Sequence, residues 1–100
     1  MVTEHALISI RPGSEHDFEA AFPAALAVIT AAEGCRAVSL ARGIEHPSTY
    51  LLLVEWDSLE AHMTGFRGSP AFVAWREIIG PFFDGGVVLD HYEPPVASAP

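Results

Sequence analysis

The sequence predicts an α+β domain with the ferredoxin-like order β-α-β-β-α-β, and three observations carry that prediction. Four short segments have the apolar, β-branched composition of strands. Two stretches between them carry apolar residues at helical spacing. Clear breakers separate the segments: Pro12-Gly13, Glu33-Gly34, Gly43 to Ser48, and Gly85-Gly86. One hundred residues hold a single domain and leave no room for a second core.

Thr3 to Arg11 is the first expected strand, running up to Pro12-Gly13. Ser14 followed by Asp17 forms an acidic capping pattern. Phe18, Phe22, Ala25, Leu26 and Ile29 then mark one face of a helix over Glu15 to Glu33. Pro23 removes the hydrogen bond to Glu19 inside that helix and predicts a kink or break. Arg36 to Arg42 and Thr49 to Asp57 are the next two strands, and Tyr50 to Trp56 is apolar on both faces. A strand of that kind is covered on both sides.

Asp57-Ser58 caps a short helix that sets Leu59, His62, Met63 and Phe66 on one face. Ser69-Pro70 opens a third helix, since Ser caps well and Pro is tolerated at the first helical position. Its stripe is Phe72, Trp75, Ile79 and Phe82 or Phe83. Val87 to Glu93 is the last strand, stopped by Pro94-Pro95. The domain therefore spans residues 1–95, with 96–100 as a disordered tail. Two helices on one face of a four-stranded sheet leave the other face open, so a second copy of the chain is the simplest cover.

Composition removes several classes of function. Apolar residues make up 50% of the chain and charged residues 18%, with a mean hydropathy of +0.28. That balance excludes a disordered protein. The net charge of −8 repels phosphate backbones and anionic lipid, so neither nucleic acid nor a membrane is an expected partner. No segment has the length of a membrane span or the pattern of a targeting signal. With no Lys there is no Schiff-base amine, and with no Asn or Gln no side-chain amide can hold an oxyanion. The single Cys35 permits neither an intrachain disulfide nor a CxxC site, which points to the cytoplasm. HxH, HExxH, GxGxxG, P-loop and G-x-S-x-G patterns are all absent, so no metal ligand set is expected.

The segment Glu55-Trp56-Asp57-Ser58-Leu59-Glu60-Ala61-His62, followed by Phe66-Arg67-Gly68-Ser69-Pro70-Ala71-Phe72, carries a recognisable pattern. It resembles the antibiotic biosynthesis monooxygenase (ABM) family, a branch of the dimeric α+β barrel proteins. The resemblance covers nearly the whole chain in element order and is most specific from Glu55 to Phe72. It implies a homodimer with face-to-face sheets and a pocket in each subunit between sheet and helices. Members of the family include cofactor-independent oxygenases of anthrones and quinols, haem-degrading enzymes, and enzymes acting on small signal molecules. Both the anthrone-type oxygenases and the haem degraders use a pocket Asn; here the corresponding place on the first strand looks like His5. The helix His that ligates haem iron has no counterpart, because that region reads Ala74-Trp75-Arg76. The resemblance thus implies oxygenation without a cofactor.

Oxygenation of that kind needs a base, a dry pocket and a few polar anchors. Histidine is the natural base, and five are present. His16 and His46 sit among charged and turn residues and read as solvated surface. His62 shares a helical face with Leu59, Met63 and Phe66, which suits either a pocket base or a buried core histidine. His5 alternates with Leu7 and Ser9, so it either faces the pocket or lies on the sheet surface or dimer interface. His91 stands beside Tyr92 on the opposite face of its strand and suits an interface or a substrate contact. Phe66, Phe72 and Trp75 suit a flat aromatic pocket or plain core, and Trp56 packs under the short helix. Arg76 could hold a phenolate or carboxylate, or pair with a surface acid.

The expected reaction is therefore cofactor-independent monooxygenation of a small aromatic or quinol-like molecule. His62 or His5 is the base, Arg76 the anion anchor, and Phe66, Phe72, Trp75, Trp56 and His91 the substrate contacts. Dioxygen and a small aromatic ligand are the expected partners besides a second copy of the chain. Two alternatives stand beside it: a non-catalytic ligand-binding dimer, and an isomerase-type or lactone-handling enzyme of the same fold.

Overall fold

Period-two alternation builds the sheet, and its burial pattern decides which way each side chain points. The computed structural model describes residues 1–100. Its strands are β1 (Val2–Ser9), β2 (Cys35–Arg42), β3 (Thr49–Trp56) and β4 (Val88–Tyr92). Helix α1 (Glu15–Thr30) joins β1 to β2. A π-helical turn (Ala61–Phe66), helix α2 (Pro70–Ile79) and a 3-10 turn (Gly80–Phe82) join β3 to β4. The sheet order is β2-β3-β1-β4 with every neighbouring pair antiparallel, which is the ferredoxin-like arrangement.

Both helices cover the same face. Glu4, Ala6, Ile8, Tyr50, Leu52, Val54 and Trp56 point into it and are buried. Phe18, Phe22, Ala25 and Ile29 of α1 and Trp75 and Ile79 of α2 complete the core. Phe22 meets Trp75 edge-on at 5.8 Å, which fixes the two helices against each other. Each such side chain, fully buried, contributes about 1.5–3 kcal/mol.

The opposite face carries Thr3, His5, Leu7, Leu51, Leu53, Val88 and Tyr92. Leu7, Val88 and Tyr92 are exposed, while Leu51 and Leu53 are half-buried. Within one chain, β3 is therefore covered on one side only. Beyond Tyr92 the chain forms no further strand or helix, and Val96 to Pro100 are exposed.

Several local expectations change. Helix α1 passes through Pro23 without a break. Phe22 and Ala25, buried on either side of the proline, hold the backbone on course. It ends at Thr30 rather than Glu33, and a turn leads to Gly34 at φ +85°. A Cβ on Gly34 would meet the Ala61 Cβ at 2.7 Å, so this glycine lets the loop touch the base of the π-helical turn. Ser14 does not cap α1 with its hydroxyl; the Glu15 carboxylate instead accepts from the Gly13 N–H at 2.8 Å. Ser58 does cap the next turn, accepting from the Ala61 N–H at 3.1 Å.

The expected short helix is wound as a π-helix. The Arg67 N–H bonds to the carbonyl of His62, five residues back, at 2.9 Å. That wider turn brings both His62 and Phe66 onto the buried face.

Candidate active site

A cavity of about 320 Å3 lies between the helix-covered face of the sheet and the segment running from the π-helical turn through α2. That is the size of a small-molecule site. Ala6, Ile8 and Leu52 form its floor, and Phe66, Phe72, Trp75 and Ile79 form its wall. Phe66 meets Phe72 edge-on at 5.7 Å and Trp75 edge-on at 6.1 Å, so the wall is a continuous aromatic surface. Four ionisable side chains also line it: Glu4, His62, Arg67 and Arg76.

The first two belong to a buried polar line. Glu4 Oε1 accepts from the Trp56 indole N–H at 3.0 Å and lies 3.2 Å from His62 Nε2. On its other side, His62 Nδ1 lies 2.7 Å from His91 Nε2. The His62 ring stacks on Trp56 at 5.0 Å and 17°. Strand register sets up this line, because Glu4 of β1 stands directly opposite His91 of β4. Glu4 and His62 are 5% and 3% exposed.

Burial disfavours charge on both groups. It raises the Glu4 carboxyl above the ordinary carboxylate range, against the lowering effect of the Trp56 hydrogen bond and the Arg67 charge. It lowers His62 to about 4, with His91 and Arg67 pushing the same way. His91 also falls by burial, partly offset by Asp90. At neutral pH His62 is therefore an uncharged imidazole, and its 3.2 Å approach to Glu4 is a polar contact rather than an ion pair.

Arg67 and Arg76 are exposed, so they stand where the cavity opens to solvent. Their guanidinium carbons lie 5.4 and 5.9 Å from the centre of the Phe72 ring, and Arg76 lies 5.3 Å from that of Phe83. Two of the five arginines of an acidic chain thus border one opening. They suit a ligand that is anionic or becomes so.

The structure brings His62, Phe66, Phe72, Trp75 and Arg76 to the cavity. Trp56 and His91 stand behind it, as the stacking partner and the hydrogen-bond partner of His62. His5 is not brought there. The alternation that turns Glu4 and Ala6 inward turns His5 to the uncovered face, where it meets Tyr92 edge-on at 5.7 Å. The place given to His5 on the resemblance therefore needs correction: the polar side chain that the first strand sends to the cavity is Glu4.

Glu4 and Arg67 are the site residues that the sequence reading passed over. For Glu4 a signal existed, since it shares a strand face with Ala6, Ile8 and Ile10. An acid on the apolar face of a strand is a buried acid, which rarely occurs without a role. Nothing local marks Arg67, whose position depends on the π-helical turn. Cys35 is half-buried, and burial together with the Glu4 charge pushes its thiol up, the opposite of activation. No group of three or more His, Cys, Asp or Glu side chains converges as a metal site would require, and no helix is long and apolar enough to cross a membrane.

Comparison with known proteins agrees with the fold. A family model described as antibiotic biosynthesis monooxygenase matches residues 1–78. YczJ, an uncharacterized protein of Bacillus subtilis (strain 168), is 38% identical over 93 residues, or 93% of this chain and 98% of that one. A crystal structure from Bordetella bronchiseptica, assigned to the antibiotic biosynthesis monooxygenases, superposes with a TM-score of 0.91 at 37% identity. It covers 95% of this chain and 97% of its own. SnoaB, a cofactor-independent oxygenase from Streptomyces nogalater, shares the fold with a TM-score of 0.79 at 16% identity, over 96% of this chain and 94% of its own. Matched in sequence over most of its length and in fold over nearly all of it, the chain belongs to the antibiotic biosynthesis monooxygenase family.

Proposed function

We propose that the cavity binds a small, flat molecule of the anthrone or hydroquinone class and that the protein oxygenates it with dioxygen, without a cofactor. One observation carries this reading: an aromatic-walled cavity of about 320 Å3 has a buried carboxyl–imidazole pair in its lining and two guanidinium groups at its opening. Those are the parts such a reaction needs. A basic group takes a proton from an acidic C–H or O–H, and the cationic opening stabilises the anion that results. The electron-rich anion reduces dioxygen. For an anthrone, the methylene carbon gains one oxygen atom and becomes a carbonyl, while the other oxygen leaves as water with the two displaced hydrogens.

Phe66, Phe72 and Trp75 stack on and flank the ring system, and Arg76 and Arg67 hold its oxygen. The uncovered sheet face, with Leu7, Leu51, Leu53, Val88 and Tyr92, pairs with a second copy of the chain. The kinship with family members of known oxygenase activity supports the same reading.

The test is oxygen uptake by purified, metal-stripped protein against anthrones, hydroquinones and catechols, with His62→Ala and His5→Ala run alongside. The expected result is uptake above the autoxidation blank that is lost in His62→Ala and kept in His5→Ala. No uptake across the panel would overturn the oxygenase. It would favour a ligand-binding dimer, a reading consistent with His62 already having both ring nitrogens engaged within the chain.

A further inference from the structure

We infer that Glu4, through Oε2, is the group that accepts the proton from the substrate, and that His62 is a positioning residue that holds this carboxylate. The inference rests on the oxygenase reading of the cavity and names its base. It follows first from counting atoms around His62. Nε2 faces Glu4 Oε1 at 3.2 Å and Nδ1 faces His91 Nε2 at 2.7 Å. An imidazole has only two nitrogens, so none is left to meet a substrate.

Glu4 is in the opposite position. Its Oε1 receives both the Trp56 and the His62 contacts, while Oε2 makes no hydrogen bond within the chain. No side-chain oxygen or nitrogen sealed from solvent lacks a partner, so the unpartnered Oε2 keeps an opening, and Glu4 is a lining residue of the cavity. A carboxylate anchored through one oxygen and bare on the other is a directed proton acceptor. Burial makes it a stronger base than an exposed carboxylate, which suits proton abstraction.

In the step itself, the proton passes from the substrate carbon to Oε2, and the C–H electron pair stays on the substrate as an enolate. The enolate transfers its electrons to dioxygen as the C–O bond forms. Glu4 then returns the proton to the outer peroxide oxygen, which restores the carboxylate; loss of the second C–H proton forms the carbonyl as the O–O bond breaks, and the outer oxygen leaves as water with that proton. The groups that face Glu4 are Trp56 at the end of β3, His62 in the π-helical turn, Arg67 after that turn, His91 on β4 and Cys35 on β2; Trp56 and Arg67 lower its pKa against the larger effect of burial.

Anaerobic hydrogen–deuterium exchange separates this inference from the oxygenation it serves. The probe is 1,8-dihydroxyanthrone in deuterated buffer without oxygen, with loss of its methylene proton signal followed by NMR. The full chain should speed exchange above the blank, and Glu4→Gln should lower that acceleration about a hundredfold or more. Quenching of tryptophan fluorescence by the same molecule should persist in Glu4→Gln within about threefold of the original affinity, because the amide keeps the shape of the carboxyl. His62→Gln should retain part of the acceleration and shift the pH profile of exchange, since it changes a polar contact of the base and not the base itself. Exchange that survives in Glu4→Gln, or that the unaltered chain never accelerates, overturns the inference. Exchange that requires Glu4 but is not followed by oxygen uptake in air supports Glu4 as the base and overturns the monooxygenase.

Discussion

The two faces of the one sheet start from similar material and end as different chemistry. Each carries a column of aliphatic residues, and each brings a histidine against an aromatic ring. On the helix-covered face His62 stacks flat on Trp56 at 5.0 Å. On the other, His5 meets Tyr92 edge-on at 5.7 Å. His62 is 3% exposed and drops to about 4 by burial, whereas His5 is only half-buried. What separates them is the cover supplied by α1, the π-helical turn and α2. It removes water, encloses the cavity and lowers the His62 imidazole.

The sharpest way to break this contrast is to remove Trp56, which is fully buried, stacks on His62 and donates to Glu4. Trp56→Ala is expected to cost about 3–5 kcal/mol, against under ~1 kcal/mol for Leu7→Ala on the uncovered face. Urea denaturation at low protein concentration measures both. Equal costs would mean that the two faces contribute alike and that the helix-covered core is not the principal one.

A pH series tests the same contrast through His62. Its folded value lies below the ordinary 6.5, so as pH falls from about 6.5 toward 4 the unfolded chain takes up a proton that the native chain refuses. Stability drops across that window by up to about 3 kcal/mol and the drop levels off below it. Glu4, raised by burial, acts with the opposite sign once pH reaches its own folded value. Thermal unfolding from pH 7 to 4 should therefore show a steeper decline in the unaltered chain than in His62→Gln. Parallel curves would show that His62 titrates as an exposed histidine does.

The uncovered face sharpens the contrast by association. If it pairs with a second copy, Leu53→Asp buries an unpaired charge in that interface and should weaken the dimer about thirtyfold or more, roughly 2 kcal/mol. Sedimentation at micromolar concentration reads this directly, and circular dichroism checks that the fold persists. A monomer in the unaltered protein would end the pairing proposal. The smallest effect is expected at His5, where replacement by Gln should change monomer stability by less than about 0.5 kcal/mol.

Much of the architecture was legible from residue order. The strand alternation, the helical stripe of Phe18, Phe22, Ala25 and Ile29, and the breakers between them are short-range signals, and the chain follows them in order β-α-β-β-α-β. Even the inward direction of Glu4 could be read, because it alternates with Ala6 and Ile8. His62 and Phe66 were likewise visible as residues of one face, although the π-winding that buries both was not. Pro23 marks the reverse case, a strong local signal overridden by the packing of its neighbours.

The sequence by itself thus determined the elements, their order and the two faces of each strand, since these depend on backbone preferences and on periodicities a few residues long. Tertiary structure decided how α1, the π-helical turn and α2 close over one face of the sheet, and with it that His62 lies beside the cavity. It also decided the contacts of the site. Trp56 reaches Glu4 across 52 residues of chain, and His62 reaches His91 across 29. Contacts at such separations come from strand register and helix docking, and the acid–base character of Glu4 and His62 comes from the water those contacts exclude.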